Sequence, residues 1–154
     1  MSKLSDHLDS IEIVCKCGCG RSNITQKAIN LFEAVRHELG DKPLYITSGC
    51  RCPTHSVKVG GYANDYHVRG MAFDVYGKHC TPEQICAAAE KCGANGIGLM
   101  NGAAHFDCGD RMIPWRGDER TGANVKTFIK DNKGVEKIIG YVKINGVTYD
   151  VYEK

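Results

Sequence analysis

The sequence lacks the long apolar run that a membrane span requires. No apolar stretch approaches the roughly 20 residues that cross a bilayer, although 42% of the 154 residues are hydrophobic. A block of basic residues is also missing, because the lysines and arginines are scattered and the net charge is only +2, with a pI near 8.1. We therefore expect no membrane insertion and no nucleic-acid binding, but a globular monomer with one core.

A secretory signal is missing from the start of the sequence. Residues 1–10 include Asp6 and Asp9 and contain no apolar core of the kind that a signal peptide needs. We therefore expect synthesis in a cytoplasm. A target outside the membrane would then need another route of delivery.

Cysteine, by contrast, is abundant, with nine residues at positions 15, 17, 19, 50, 52, 80, 86, 92 and 108. An odd number cannot all pair within one chain, and without a signal peptide reduced thiols are expected. One interpretation is a structural zinc site formed by Cys15, Cys17 and Cys19 with Cys50 or Cys52, since thiolates favour closed tetrahedral zinc. The one-residue gaps argue against it, because zinc knuckles have a two-residue gap.

Local patterns predict two helices and a buried strand. In residues 25–39 apolar side chains recur at three- and four-residue spacing, and Gly40 follows as a stop signal. The string Thr81-Pro82-Glu83-Gln84 supplies a helix cap, a proline at the first helical position and a capping-box glutamine. Residues 44–47 are β-branched and aromatic and predict a strand.

Two further strand segments place polar residues on one side of a sheet. Residues 71–76 alternate so that Asp74 faces away from the core side. Residues 96–107 contain Asn101-Gly102 between two strand-like halves, which predicts a hairpin. In that register Gly98 lies opposite His105, and a residue without a side chain there leaves room for a metal ion and a substrate.

Three residues carry the donor types of a catalytic zinc site. Such a site takes about three nitrogen or oxygen ligands and keeps one open position. His67, Asp74 and His105 supply two imidazoles and a carboxylate from a loop, a strand and a hairpin. The spacing alone also fits an unrelated surface histidine near a strand-edge carboxylate.

A longer series of motifs distinguishes these alternatives. In chain order the motifs are Ser48-Gly49-Cys50-Arg51, Val59-Gly60-Gly61, the string from His67 to Asp74, Gly96-Ile97-Gly98 and His105-Phe106-Asp107. From about residue 12 to residue 115, their order and spacing resemble the zinc D-alanyl-D-alanine carboxypeptidase family of cell-wall metallopeptidases. That family shares its fold with the hedgehog signalling domain.

The resemblance implies a role for each matching residue. His67, Asp74 and His105 correspond to the zinc ligands. Arg51 corresponds to the arginine that receives a substrate carboxylate, and its alternative is a structural salt bridge. Asp107 is our first candidate for proton transfer, and its alternative is a carboxylate that orients a zinc-bound histidine.

Two positions depart from the family pattern. Asp65 stands where relatives commonly have a substrate-holding serine, and a carboxylate there would bind an amine or amide donor. Gly102 stands where many relatives carry an acidic general base, although a subset lacks that acid. The missing acid leaves open a second interpretation, a zinc-containing binding module of the same fold without catalysis.

We therefore expect an α+β fold with a small antiparallel sheet, helices on one face and a zinc cleft on the other. The expected organisation is a peptidase domain in residues 1–116, a connector in 117–137 and a C-terminal β-hairpin in 138–154. The implied activity is zinc-dependent hydrolysis of peptide bonds in peptidoglycan stems, by a carboxypeptidase or an endopeptidase. Delivery to the wall would follow that of a phage lysin or lysis module.

Overall fold

The computed structural model describes residues 3–130, 138–144 and 147–152, with side chains described up to residue 130. The elements follow one another as β1 (Lys3–Ser5), β2 (Leu8–Asp9), α1 (Ser10–Ile13), α2 (Gln26–Glu38), β3 (Leu44–Ser48), α3 (Pro53–Lys58), β4 (Ala72–Gly77), α4 (Pro82–Lys91), β5 (Gly96–Met100), β6 (Ala103–Asp107), β7 (Trp115–Asp118), β8 (Ala123–Asn124), β9 (Ile138–Ile144) and β10 (Val147–Tyr152).

Six strands form the main sheet in the order β3-β4-β6-β5-β7-β8. The α+β prediction is confirmed. Neighbouring strands are antiparallel, as expected, except β5 and β7, which pair in parallel and make the sheet mixed. The parallel pair arises because the connection in residues 108–114 returns the chain along the free edge of β5.

The two long helices begin where their caps predict. Thr25 Oγ1 accepts a hydrogen bond from the Ala28 amide at 3.2 Å. The reciprocal capping box of Thr81 and Gln84 has bonds of 2.9 and 3.1 Å and supplies partners for amides that a helix start leaves free. Within the described ranges, no helix combines the length and apolar character needed to cross a membrane.

The two long helices, α2 and α4, cover one face of the sheet, as expected. The Phe32 ring of α2 lies 5.3 Å from that of Phe73 on β4, which lies 5.6 Å from that of Phe106 on β6. Ile85 of α4 joins this cluster, and all four side chains are fully buried. Each such side chain contributes roughly 1.5–3 kcal/mol of transfer free energy. The opposite face of the same strands is left for polar residues.

The sheet continues beyond the predicted domain boundary at residue 116, which falls inside β7. The division of the chain into domain, connector and appendage stays a prediction. Strands β9 and β10 pair antiparallel, as predicted for the C-terminal hairpin. The pair Asn145-Gly146, which we predict as the turn of this hairpin, and residues 131–137 of the predicted connector lie outside the described residues.

Candidate metal centre and cleft

One row of paired residues crosses the polar face of the main sheet. Ser48 pairs with Asp74, Asp74 with His105, His105 with Gly98, and Gly98 with Gly117. The predicted register of Gly98 opposite His105 is confirmed. Polar side chains therefore occupy one half of the row, and the glycines of the other half leave space that side chains from elsewhere in the chain enter.

His67, from the loop before β4, joins Asp74 and His105 of this row, and we call these three residues the His-Asp cluster. Asp74 Oδ1 lies 3.3 Å from His67 Nε2 and 3.0 Å from His105 Nδ1. Tetrahedral zinc with bonds of about 2.0–2.1 Å places neighbouring nitrogen and oxygen ligands about 3.3 Å apart. The donor set and its spacing therefore fit Zn²⁺.

Both imidazoles are held by contacts on their outer sides. His67 Nδ1 lies 2.8 Å from the Gly49 carbonyl oxygen, which can only accept, so this nitrogen carries a proton. His105 Nε2 lies 2.7 Å from Asp107 Oδ2. Such outer contacts set the tautomer and orientation of metal-binding histidines. Each ring thereby directs its other nitrogen towards Asp74.

The electrostatics of the cluster favour a cation. Burial alone would lower the pKa of His105, but hydrogen bonds to Asp107 and Asp74 outweigh it and raise that pKa to about 10. Burial alone would raise the pKa of both carboxyl groups, yet the hydrogen bonds they accept hold each pKa well below its usual range. The carboxylates therefore stay ionised around a site suited to positive charge.

Arg51 lies beside the cluster and contacts one of its members. Its Nη2 donates to Asp74 Oδ2 at 3.1 Å and its Nε donates to Ser48 Oγ at 2.9 Å. Its Nη1 lies 3.5 Å from Ser56 Oγ and 3.7 Å from Asp65 Oδ2. The guanidinium thus holds the Asp74 oxygen that does not face the imidazoles.

Asp65, which we expected to meet the substrate, makes several contacts within its own loop. Its carboxylate accepts from Ser56 Oγ at 2.5 Å, from the Tyr62 amide at 3.1 Å and from the Val68 amide at 3.0 Å. Burial would raise the pKa of Asp65, but these hydrogen bonds lower it. Asp65 therefore remains charged and stabilises the loop that carries His67.

A cleft of about 310 Å³ opens over the His-Asp cluster. The Trp115 ring forms part of its wall, with its centroid 6.2 Å from that of His105. The lining also includes Arg51, Val59, Gly60, Gly61, Tyr62, Asp65, Tyr66, Met100, Arg111 and Glu119. Aromatic, cationic and anionic groups thus surround the donor atoms of the His-Asp cluster on the accessible side.

Glu119 is the residue of this cleft that sequence reasoning missed. It follows β7, and its amide donates to the Leu99 carbonyl at 2.8 Å. A Cβ on Gly98 would collide with the Glu119 carboxylate, so the space opposite His105 is used by this side chain. Burial raises the pKa of Glu119. The sequence indicated this side chain only indirectly, through the glycine at position 98, which leaves space opposite His105.

The sequence matches a known peptidase family. The chain belongs to the Peptidase M15 family, which it matches over residues 6–108. This range includes the His-Asp cluster, Arg51 and Asp107, and it ends before Glu119. The family assignment confirms the resemblance seen in the motifs.

A curated relative gives a more particular comparison. The zinc D-Ala-D-Ala carboxypeptidase of Streptomyces albus G is 31% identical over 89 residues, which make up 58% of this chain and 34% of that protein. The chain therefore spans about a third of the length of this relative.

Proposed function

We propose that the protein is a zinc peptidase that hydrolyses peptide bonds in the peptide stems of bacterial peptidoglycan. The observation that carries the proposal is the convergence of His67 Nε2, Asp74 Oδ1 and His105 Nδ1 in an open cleft beside a carboxylate. The family assignment supports peptide hydrolysis. The name of the curated relative supports a D-amino-acid substrate and action at the cell wall.

His67, Asp74 and His105 are the residues that would hold the zinc ion. Bound there, zinc supplies a Lewis acid that polarises the scissile carbonyl and lowers the pKa of water towards about 7. The remaining work falls to residues of the chain that orient these ligands, bind the substrate and move protons.

Of the two roles open to Asp107, its contacts favour orientation of His105. Its side chain is fully buried. Besides the His105 ring, it accepts hydrogen bonds from Arg111 Nη1 at 2.8 Å and from the Gly109 amide at 3.0 Å. A carboxylate with these partners and a lowered pKa has little capacity to collect a proton from the cleft.

Glu119 is the better placed group for proton transfer. It lines the cleft, and it faces the row that contains His105 across the bare backbone of Gly98. Gly102, where many relatives carry an acid, lies in the β5–β6 turn with φ of 71°. We assign to Glu119 the task of accepting a proton from the attacking water and delivering it to the leaving amine.

Arg51 and Asp65 would together shape the substrate side of the cleft. Arg51 is permanently charged and borders the cleft, so it attracts a substrate carboxylate or carbonyl oxygen as well as positioning Asp74. Asp65 balances that charge at 3.7 Å and would face amine or amide donors of the stem peptide.

The test is incubation of purified protein with defined muropeptides, followed by mass spectrometry of the products. We expect zinc-dependent cleavage that falls by more than about 10³-fold in His67→Ala, since the metal contributes several kcal/mol to the barrier. His37→Ala is the matched control, because His37 is exposed on α2 and should leave activity unchanged. Release of a terminal D-alanine identifies a carboxypeptidase, and cleavage of a cross-link identifies an endopeptidase.

Two outcomes would contradict the proposal. Full activity of His67→Ala would show that the ligand assignment is wrong. Intact muropeptides after incubation with zinc-loaded protein, together with tight binding of those muropeptides, would support the alternative of a non-catalytic zinc-containing binding module.

A further inference from the structure

Four thiols gather in a second group that shares no residue with the His-Asp cluster. We call Cys15, Cys17, Cys19 and Cys52 the thiol cluster. Their sulfur atoms all lie within 4.8 Å of one another. Cys17 Sγ lies 3.5 Å from Cys15 Sγ and 3.7 Å from Cys52 Sγ. All nine cysteines of the chain are free thiols.

These separations fit a metal ion. In a tetrahedral site with Zn–S bonds of about 2.3 Å, neighbouring sulfurs lie about 3.8 Å apart. A disulfide would instead bring two sulfurs to about 2.05 Å. Four thiolates also complete the coordination of zinc, which is the composition of a closed structural site.

The structure also decides between the two cysteines that the sequence offered as a fourth ligand. Cys50 is buried in the hydrophobic core and packs with apolar residues. Cys52 lies at the start of α3, where its Sγ accepts the His55 amide at 3.3 Å. Cys52 therefore joins the thiol cluster and Cys50 does not.

Backbone geometry explains how cysteines separated by single residues can reach the same cluster. Gly18 and Gly20 have φ of 90° and 86°, conformations that favour glycine and turn the chain sharply. The loop is closed by the Cys15 amide, which donates to the Arg21 carbonyl at 2.9 Å. The Cys52 amide donates to Cys15 Sγ at 3.3 Å. Amide donors of this kind favour the thiolate form.

We propose that the thiol cluster holds a second, structural zinc ion. The site joins the loop of residues 15–21 to the turn that carries Arg51. Next to it, the Cys50 amide donates to the Ile13 carbonyl at 2.8 Å and the Arg51 amide to the His67 carbonyl at 3.2 Å. The ion would thereby stabilise the backbone on which one wall of the cleft is built.

The test is elemental analysis of the protein purified under reducing conditions. We expect two zinc ions per chain in the wild type and one in each of two double variants, Cys17→Ser with Cys52→Ser and His67→Ala with His105→Ala. Cys92→Ser is the control, because Cys92 lies on the far end of α4 outside the thiol cluster. It should retain both ions.

Cobalt substitution distinguishes the two sites independently of peptidase activity. A sulfur-to-cobalt charge-transfer band should appear in the wild type and in the histidine double variant. It should be absent from the cysteine double variant. The result bears on the thiol cluster alone, so failure of the proposed function would leave it unaffected.

Alkylation of the wild type keeps the proposal testable if the cysteine variant does not fold. Cys17 and Cys19 are exposed, so as free thiols they should react readily. We expect protection from N-ethylmaleimide in the zinc-loaded protein and rapid labelling after chelation. One zinc per chain with Cys17 and Cys19 labelled at once would overturn the proposal, as would a mass lower by two hydrogens from a disulfide.

Discussion

The His-Asp cluster and the thiol cluster are assembled from different kinds of backbone segment. In the His-Asp cluster two of the three ligands lie on adjacent paired strands, and the donor atoms are largely buried at the base of a cleft. In the thiol cluster the sulfurs come from a glycine-containing loop and a helix start, and two of the residues are exposed.

The difference follows from whether each proposed site keeps a coordination position open. Three nitrogen and oxygen ligands leave one position for water or substrate, whereas four thiolates leave none. Strand pairing places Asp74 and His105 in a rigid register beside open space, as reactive sites require. The thiol cluster needs only to enclose its ion, and a loop that turns sharply at its glycines can do so. Arg51 lies between the two and contacts Asp74 directly.

The test of this difference with the largest expected effect is Glu119→Gln, because Glu119 lines the cleft over the His-Asp cluster and is the proposed proton-transfer group. We expect kcat to fall by about 10²–10⁴-fold, the usual contribution of a general base. Zinc content should be unchanged, since Glu119 is not a proposed ligand. Steady-state kinetics with a defined muropeptide and elemental analysis measure the two effects.

Two further variants complete that experiment. Glu119→Asp keeps the carboxylate and should recover part of the lost rate. Glu83→Gln changes an exposed glutamate on α4 and should have no effect. An unchanged kcat in Glu119→Gln would contradict the role of Glu119 and make Asp107 the first candidate for proton transfer.

Gly98→Ala tests whether the Glu119 side chain needs the space beside Gly98. The added Cβ meets the end of the flexible Glu119 side chain and lies 3.1 Å from the Trp115 ring, so we expect the fold to adapt with a small loss of Tm. The displaced carboxylate should lower kcat by about 10²-fold, since misplacement by about 1 Å costs that much. A large drop in Tm with normal kcat would show that Gly98 serves packing alone.

Asp107→Asn tests the orientation of His105. Loss of an outer carboxylate typically weakens metal binding by about 10–100-fold. Titration with a competing chelator should show this loss at the His-Asp cluster, while the cobalt–thiolate band of the thiol cluster stays unchanged. Asp118→Asn, which alters a carboxylate paired with Arg120 on the surface, is the control. Equal zinc affinity in both variants would contradict the assigned role.

The smallest effect on catalysis is expected from loss of the thiol cluster. Cys17→Ser with Cys52→Ser should lower Tm by several degrees, since each kcal/mol shifts Tm by about 2–4 °C in a chain of this size. The rate should change only a few-fold because the Arg51 turn keeps its backbone bonds to Ile13 and His67. A thermal melt monitored by circular dichroism measures the first effect. Loss of activity without loss of stability would make the thiol cluster part of the active site.

Much of the His-Asp cluster could be predicted because its geometry is local. Asn101-Gly102 sets the β5–β6 register, which places Gly98 opposite His105, and alternation along β4 places Asp74 on the polar face. The helix caps at Thr25 and Thr81 are short motifs with a direct hydrogen-bonding meaning.

The remaining features depend on contacts between distant parts of the chain. Glu119 reaches the cleft only because β7 crosses back and pairs in parallel with β5, a pairing without a short-range pattern. The choice of Cys52 over Cys50 depends on where the chain leaves the sheet after Ser48, because both thiols precede α3 in an irregular segment. Neither feature has a periodic signal.

The parallel pairing of β5 and β7 separates two parts of the chemistry along the chain. The proposed metal ligands lie within residues 6–108, which match the family, whereas the proposed base follows β7, outside that range. A sequence change in the last strands could therefore replace the proton-transfer group while every metal ligand stays in place. In this fold the proposed acid–base group and the proposed metal ligands are therefore held by different segments of the chain.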